Sequence, residues 1–143
     1  MKNLIEYLHD GDYSCVIASG TNISAYTGRG VSDLHDLLTR SPHLLKGAIV
    51  ADKVVGRGAA ALLILGGVLQ VHANLISTSA LDLLREHAPT IDVSFDCEAP
   101  YIINRDGTGR CPVETLCDSV RTPGEMLPLI TNFLDKIREK TAF

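Results

Sequence analysis

Residues 47–76, GAIVADKVVGRGAAALLILGGVLQVHANLI, decide the fold, because they predict a strand, a helix and a second strand in succession. Residues 47–51 are wholly apolar, which is typical of a short strand buried on both faces of a sheet. Asp52 is a good N-cap residue, and residues 53–65 are apolar nearly all round, so we expect a central helix that starts directly after Asp52. Residues 68–76 alternate in part and predict the second strand. This order indicates a parallel crossover.

The rest of the chain extends this unit on both sides. The predicted elements before it are a helix over 2–9, a hairpin with strands over 13–18 and 23–26, and a helix over 32–40. The predicted elements after it are a helix over 78–87, a strand over 91–95, an extended segment over 99–105, and helices over 112–120 and 123–140. Strands that alternate with helices imply a largely parallel sheet, and the leading hairpin makes the sheet mixed. We therefore expect an α/β fold, a three-layer αβα sandwich with a mixed sheet, in a single domain over residues 1–143.

Composition and charge exclude several classes of protein. The 143 residues are 45% hydrophobic and 21% charged, which is unlike a disordered chain. The 13 Lys and Arg residues form no basic run and are outnumbered by 17 Asp and Glu residues, so we expect neither a nucleic acid duplex nor a membrane surface as partner. The longest apolar run, 59–65, is far shorter than the roughly 20 residues of a membrane span. These observations predict a soluble, cytoplasmic protein.

The cysteines and histidines predict no metal site and no cofactor. The four cysteines contain no CxxC pair, and Cys15 and Cys97 fall in strand-like runs where we expect them in the core. His72 stands alone in its predicted strand. The GxGxxA match at 56–61 is expected inside the central helix, where small residues let the helix approach the sheet, and not at a strand–helix turn as a dinucleotide site requires. No Gly-x-Ser-x-Gly elbow occurs, although a Ser–His–Asp triad stays open.

Two stretches carry a family resemblance. Residues 46–61, KGAIVADKVVGRGAAA, and 101–114, YIINRDGTGRCPVE, together resemble the uncharacterised bacterial family called domain of unknown function 1893. The resemblance covers the chain from about Leu4 to about Val120, and the helix after Pro123 is expected to be an addition or a variable tail. This family is similar in fold to the cytidine-deaminase superfamily, so the resemblance implies a cytidine-deaminase-like sandwich.

The resemblance also implies where a zinc site would lie. Zinc deaminases place a His or Cys, and a Glu two residues later, at the start of the helix after the third strand, and Pro-Cys-x-x-Cys opens the next helix. The corresponding stretches here are expected to be Ala-Asp-Lys at 51–53 and Ser-Thr-Ser at 77–79. Neither stretch supplies a thiolate or an imidazole, so zinc cannot be held or its water activated. We therefore expect a deaminase-like fold without zinc-dependent deamination.

The predicted helix start at Asp52 and Lys53 is the first candidate site, because ligands gather at the carboxyl ends of parallel strands, where helix N-termini point inward. Asp52 is a candidate ligand contact, although its capping role alone explains it. A lysine in the first turn opposes the helix dipole. Lys53 therefore either pairs with Asp52 or extends to water, or it faces the cleft as an anion-binding group, a base or an amine nucleophile.

The start of the helix at residue 112 is the second candidate. Pro112 at the first helical position puts Cys111 at the N-cap, where the helix dipole lowers the pKa of a thiol. Glu114 is then three residues into the helix and can reach back to the N–H of the cap residue. Cys111 and Glu114, with Lys53, are the candidate catalytic residues. The alternative is that Cys111 is a small buried cap and Glu114 is purely structural.

The glycine loop before that helix is the third candidate. Its exposed main-chain N–H groups and polar side chains suit a small anion, although Asp-Gly followed by a second Gly is also ordinary turn chemistry. The candidate ligand-binding residues here are Asn104, Arg105, Asp106, Gly107 and Gly109.

These candidates predict one function and leave an alternative. We expect the glycine loop and the Asp52–Lys53 corner to face each other across a single cleft that binds a small anionic or nucleotide-like ligand, and catalysis there would use Lys53 and Cys111. The alternative is a non-catalytic ligand-binding or regulatory module; a third possibility is a structural subunit. The apolar central helix and the apolar stripe of the last helix also predict a homodimer.

Overall fold

The computed structural model describes residues 1–28, 31–103 and 109–141, with the side chains of 139–141 left undescribed. Its helices are α1 (Lys2–Asp10), α2 (Ser32–Arg40), α3 (Arg57–Gly66), α4 (Thr78–His87), α5 (Pro112–Cys117) and α6 (Pro123–Thr141). Its strands are β1 (Cys15–Ser19), β2 (Asn22–Tyr26), β3 (Ile49–Val55), β4 (Gln70–Ser77) and β5 (Asp92–Ala99), and a short 3-10 turn covers Pro42–Leu44.

The five strands form one mixed sheet in the order β2-β1-β3-β4-β5. β1 runs antiparallel to both β2 and β3, whereas β3, β4 and β5 are parallel to one another. The predicted α/β fold with a mixed sheet is therefore confirmed. β5 is an edge strand of this sheet, so most of its side chains are exposed.

Helices cover the two sheet faces unequally. On one face, α1 packs Leu4 and Leu8 against Val16 and Ala51. The larger core lies on the other face, beneath the helices α2 to α6, and α3 is its centre. We call the two sides the α1 face and the core face. Because α1 reaches only β1 and β3 with its apolar residues, the α1 face of β4 and β5 carries polar side chains.

The predicted helix start at Asp52 is wrong. β3 continues through Asp52 and Lys53 to Val55, and α3 begins only at Arg57, with Gly56 as its N-cap. The β-branched pair at 54–55 favours an extended chain, and Lys53 donates its main-chain N–H to the Ser14 carbonyl at 3.0 Å. This pairing with the neighbouring strand overrides the capping preference of an aspartate.

Two expectations about burial also change. Cys15 is buried as predicted, but Cys97 is exposed, because β5 lies at the sheet edge. α3 is covered by α2, α4, α5 and α6, so apart from Leu65, which is 39% exposed, it offers little open apolar surface to support the homodimer. The homodimer stays a prediction. Ile137 of α6 is an exposed apolar side chain that is available for such a contact. None of the helices within the described ranges has the length and apolar character that crossing a membrane requires.

Candidate functional site

Glu114 occupies the N-terminus of α3. Its side chain is only 1% exposed, and its two carboxylate oxygens accept hydrogen bonds from the Arg57 N–H at 3.0 Å and the Ile102 N–H at 2.7 Å. The first N–H groups of a helix lack partners within the helix, and its dipole favours a negative charge there. Glu114 therefore fills the position that an anionic ligand would take at this helix. The predicted bond back to Cys111 does not form, since the Cys111 N–H donates to the Ile102 carbonyl at 2.7 Å.

The guanidinium of Arg57 links three helices next to Glu114. It donates hydrogen bonds to the hydroxyl of Ser79 at 3.1 Å, the carbonyl of Cys117 at 3.2 Å and the carbonyl of Val120 at 3.0 Å. A cation that is partly withdrawn from water is tolerated only where its donors are satisfied. Arg57 therefore joins the starts of α3 and α4 to the end of α5. Arg57 is not among the site residues predicted from the sequence, although an arginine within the otherwise apolar stretch 54–65 is a usable signal.

The glycines of the GxGxxA match make room for α5. The match lies at the turn from β3 to α3, which differs from the expected position inside a helix. A Cβ atom at Gly56 would lie 3.1 Å from a Glu114 oxygen, and one at Gly58 would lie 2.6 Å from a methyl group of Val113. These glycines therefore let Glu114 and α5 approach α3 closely, and the position of a dinucleotide phosphate is filled by the chain itself.

The start of α4 is likewise filled by side chains of the chain. Ser77 is the N-cap, and its hydroxyl accepts the Ala80 N–H at 3.1 Å. The neighbouring Thr78 hydroxyl donates to the Glu98 carboxylate at 2.8 Å. Both helix starts at the carboxyl ends of β3 and β4 thus have their own polar partners.

Lys53 and Cys111 are not brought together. The Lys53 ammonium lies 2.7 Å from a carboxylate oxygen of Asp12, which follows α1, and this hydrogen bond lowers the pKa of Asp12. Cys111 packs against the core on the opposite face of the sheet. The predicted cleft required a helix N-terminus at Asp52 and Lys53, opposite the glycine loop. These two residues lie within β3, so no helix N-terminus lies there.

Asp52 is a buried acid on the core face. It is the register partner of Cys15, and its carboxylate accepts the Val54 N–H at 3.2 Å. Burial raises the pKa of Asp52 from 3.8 to about 7, and burial also raises the pKa of the Cys15 thiol well above its ordinary value. Cys15 therefore stays a neutral thiol, whereas Asp52 exchanges its proton close to neutral pH.

The ends of the glycine loop are held together, although Asn104, Arg105, Asp106 and Gly107 lie outside the described residues. Ile103 and Arg110 form an antiparallel bridge. The Arg110 guanidinium lies 5.2 Å from the centre of the Tyr101 ring and 2.6 Å from the Asp118 carboxylate. Cys111 is the N-cap of α5, and Pro112 is its first residue, as predicted. We call the described residues around these ends the loop base: Tyr101, Ile103, Gly109, Arg110 and Cys111.

Comparison with known proteins identifies the family of this fold. Residues 3–134 match the family model described as domain of unknown function 1893 (DUF1893). The chain belongs to the DUF1893 family. A crystal structure of a DUF1893 protein from Thermotoga maritima is 29% identical, has a TM-score of 0.82, and is matched over 92% of this chain and 90% of that chain. No curated protein matches the chain.

The family match corrects one boundary. The expectation that it ends near Val120 is wrong, because the family model extends to residue 134 and includes most of α6. Met126 and Ile130 of this helix are fully buried in the larger core. The last helix is thus part of the DUF1893 domain and not an addition to it.

We predict that Glu114→Gln destabilises this DUF1893 protein. The amide nitrogen of glutamine replaces one of the two acceptors, so either the Arg57 or the Ile102 N–H loses its partner. The free energy of unfolding should fall by about 1–3 kcal/mol, the cost of a buried unsatisfied group. Urea denaturation measures this change in the free energy of unfolding, and Glu86→Gln on the exposed side of α4 is the matched control. Equal midpoints for the two variants would contradict the role given to Glu114.

We predict that Asp52→Asn flattens the pH dependence of stability. Since the pKa of Asp52 is about 7 in the folded protein and 3.8 ordinarily, the folded state binds more protons between these values. The free energy of unfolding of the native protein therefore falls as pH rises from about 4 to about 7, by about 1.4 kcal/mol for each unit of pKa shift.

Denaturation series at fixed pH values measure this difference. The asparagine side chain cannot ionise but still offers an oxygen to the Val54 N–H, so the variant should lose this decline. Asp82→Asn, at an exposed position of α4, is the control and should keep it. Parallel curves for the native protein and Asp52→Asn would refute the assignment.

Proposed function

We propose that this DUF1893 protein binds a small anionic or nucleotide-like ligand at the loop base, without a metal or other cofactor. The observation that carries the proposal is the contact between Arg110 and Tyr101, a residue that is 43% exposed. A guanidinium held over an aromatic ring combines a planar stacking surface with a fixed cation. This combination suits a planar group that carries a phosphate or carboxylate.

The ion pair of Arg110 with Asp118 is compatible with ligand binding. Both side chains are partly exposed to solvent, and exposed pairs contribute only about 0–1 kcal/mol. A ligand phosphate that accepts two hydrogen bonds from the guanidinium competes well with such a partner. Asp118 then acts as an internal competitor that keeps Arg110 in place before the ligand arrives.

The predicted ligand residues enter this proposal in part. Gly109 and Cys111 flank Arg110, and Asn104, Arg105, Asp106 and Gly107 belong to the loop that the base closes. Lys53 and Asp52 are not included, since one is paired with Asp12 and the other is buried on the core face.

Binding is favoured over catalysis at this site. Glu114, a candidate catalytic residue, has both oxygens bonded to main-chain N–H groups. Cys111 remains the one proposed reactive group at the loop base, and a ligand-binding module needs no titrating residue. We therefore place the non-catalytic alternative ahead of the enzyme.

The deaminase-like fold without zinc is part of the proposal. Its support is that α3 and α4 follow two adjacent parallel strands, as the helices that carry zinc ligands do in deaminases. The residues at the helix starts are Gly56-Arg57-Gly58 and Ser77-Thr78-Ser79, which supply no thiol or imidazole. The cation of Arg57 between them opposes a second cation electrostatically.

We predict that anion binding depends on Arg110 and is limited by Asp118. Inorganic phosphate and adenosine monophosphate should raise the melting temperature of the native protein. Arg110→Ala should weaken binding about tenfold, which corresponds to about 1.4 kcal/mol, and Asp118→Asn should strengthen it by removing the competitor. Isothermal titration calorimetry measures both effects. Arg85→Ala on α4 is the control, and identical affinities for Arg85→Ala and Arg110→Ala would argue against the loop base.

We predict that the purified protein carries far less than one zinc ion per chain. Arg57 and the hydroxyl groups at the starts of α3 and α4 offer no strong zinc ligand, and burial raises the pKa of the nearby Cys117 thiol to about 11. Elemental analysis after dialysis measures the content. Stoichiometric zinc that is released only by a strong chelator would overturn the zinc-free interpretation.

A further inference from the structure

A histidine, a serine and an aspartate meet on the α1 face of the sheet, away from the loop base. His72 on β4 and Ser94 on β5 are register partners, and the His72 Nδ1 lies 2.8 Å from the Ser94 hydroxyl. On the other side of the ring, Nε2 lies 3.5 Å from a carboxylate oxygen of Asp96. The imidazole therefore stands between a hydroxyl group and a carboxylate.

Burial divides these residues into an exposed nucleophile and a buried base. His72 is only 6% exposed, whereas Ser94 is exposed to solvent. The His72 Nε2 is buried and has no hydrogen-bond partner among the described residues. When Nε2 carries the ring proton, it points this proton towards Asp96, and Nδ1 is free to accept the proton of Ser94. An unsatisfied buried nitrogen is costly, and such a cost is characteristic of functional groups.

We propose that Ser94, His72 and Asp96 form an acyl-transfer site, with Ser94 as nucleophile, His72 as general base and Asp96 as the residue that positions the imidazole. The arrangement satisfies the geometric test for an activated serine, in which the nucleophile contacts a base that a third group orients. The Nε2–Asp96 separation is longer than a hydrogen bond, as is common before a substrate binds. The site is independent of ligand binding at the loop base.

The reaction balances with water as the only co-substrate. The Ser94 oxygen attacks the carbonyl carbon of an ester, a carbon–oxygen bond forms, and the hydroxyl proton moves to His72 Nδ1. The bond to the leaving alcohol then breaks, and His72 returns the proton to the alcohol oxygen. Water hydrolyses the acyl-serine by the same two steps and releases a carboxylic acid.

The edge position of β5 supplies a donor for the developing oxyanion. Alternate residues of an edge strand direct their N–H groups away from the sheet, where no described strand pairs with them. The outward-directed N–H nearest to the nucleophile therefore belongs either to Ser94 or to the flanking Val93 and Phe95. A main-chain N–H at this place can stabilise negative charge on the substrate oxygen.

The surrounding charge selects the substrate class. Asp92 and Asp96 alternate along β5 with Ser94 and lie on the same face of the sheet. These two carboxylates beside the nucleophile repel an anionic substrate. The site therefore takes a neutral or cationic ester.

Active-site labelling tests the proposal. A neutral fluorophosphonate ester phosphonylates an activated serine, with formation of the Ser oxygen–phosphorus bond, loss of fluoride and transfer of the proton to the base. After the intact protein has been labelled and digested, peptide mass spectrometry should find the label on Ser94. His72→Gln should slow labelling about 100-fold, the usual contribution of a general base. Ser94→Ala should carry no label at this peptide and should lose the hydrolysis of 4-nitrophenyl acetate. Ser119→Ala, at an exposed serine that bonds to a carbonyl of its own helix end, should change neither rate.

Asp96 is tested separately as a positioning residue. Asp96→Asn should lower kcat for the ester more than it raises KM, and Asp96→Glu should restore part of kcat. Circular dichroism establishes that each variant is folded. Labelling of Ser94 in the native protein no faster than labelling of Ser119, or an unchanged rate in folded His72→Gln, would overturn the proposal, and the first of these results depends on no variant.

Discussion

The contact of the Glu114 carboxylate with two main-chain N–H groups holds the rest of this structure in place. One N–H begins the central helix α3, and the other belongs to Ile102, beside the loop base. Since α2, α4, α5 and α6 all pack on α3, the entry of this helix sets the geometry of the whole core face. Gly56 is required at the same point, because a side chain there would press on the carboxylate. The buried Glu114 thus couples the short helix α5 to the glycine turn at Gly56.

Charged residues with structural roles occupy the place where ligands usually bind in this kind of fold. In open α/β sheets, ligands bind where parallel strands end and helices begin. Here Glu114 and Arg57 occupy that place and bond to the surrounding main chain, so the helix starts are structural. Polar groups that can contact a ligand lie elsewhere, at the loop base and on the α1 face of β4 and β5. The site geometry, and not the fold alone, therefore decides what the protein can do.

Periodicity predicted most of the fold, and it failed where two local preferences competed. The alternation of apolar strands and helices identified the mixed sheet and the hairpin, and Pro112 identified the helix cap at Cys111. At Asp52 a strong capping preference suggested a helix, but the valines that follow and the hydrogen bond from Lys53 to Ser14 extended the strand. The start of the central helix was therefore predicted at Lys53, four residues before its observed start at Arg57. For the same reason, Gly56 and Gly58 were predicted inside the helix and not at the turn that leads into it.

Contacts between residues far apart in the chain account for what the sequence analysis missed. His72 stood alone in the sequence because its partners come from the next strand, 22 residues later, and only the register of β4 against β5 unites them. The same register places His72 opposite Ala51 on the α1 face, while the adjacent Asp52 points to the core face. Two buried ionisable groups therefore lie on neighbouring strands but on opposite sides of the sheet. Because the sheet separates their side chains, changes at one should add independently to changes at the other, so the acid of the core face and the serine site of the α1 face are two physically separate sites in one domain.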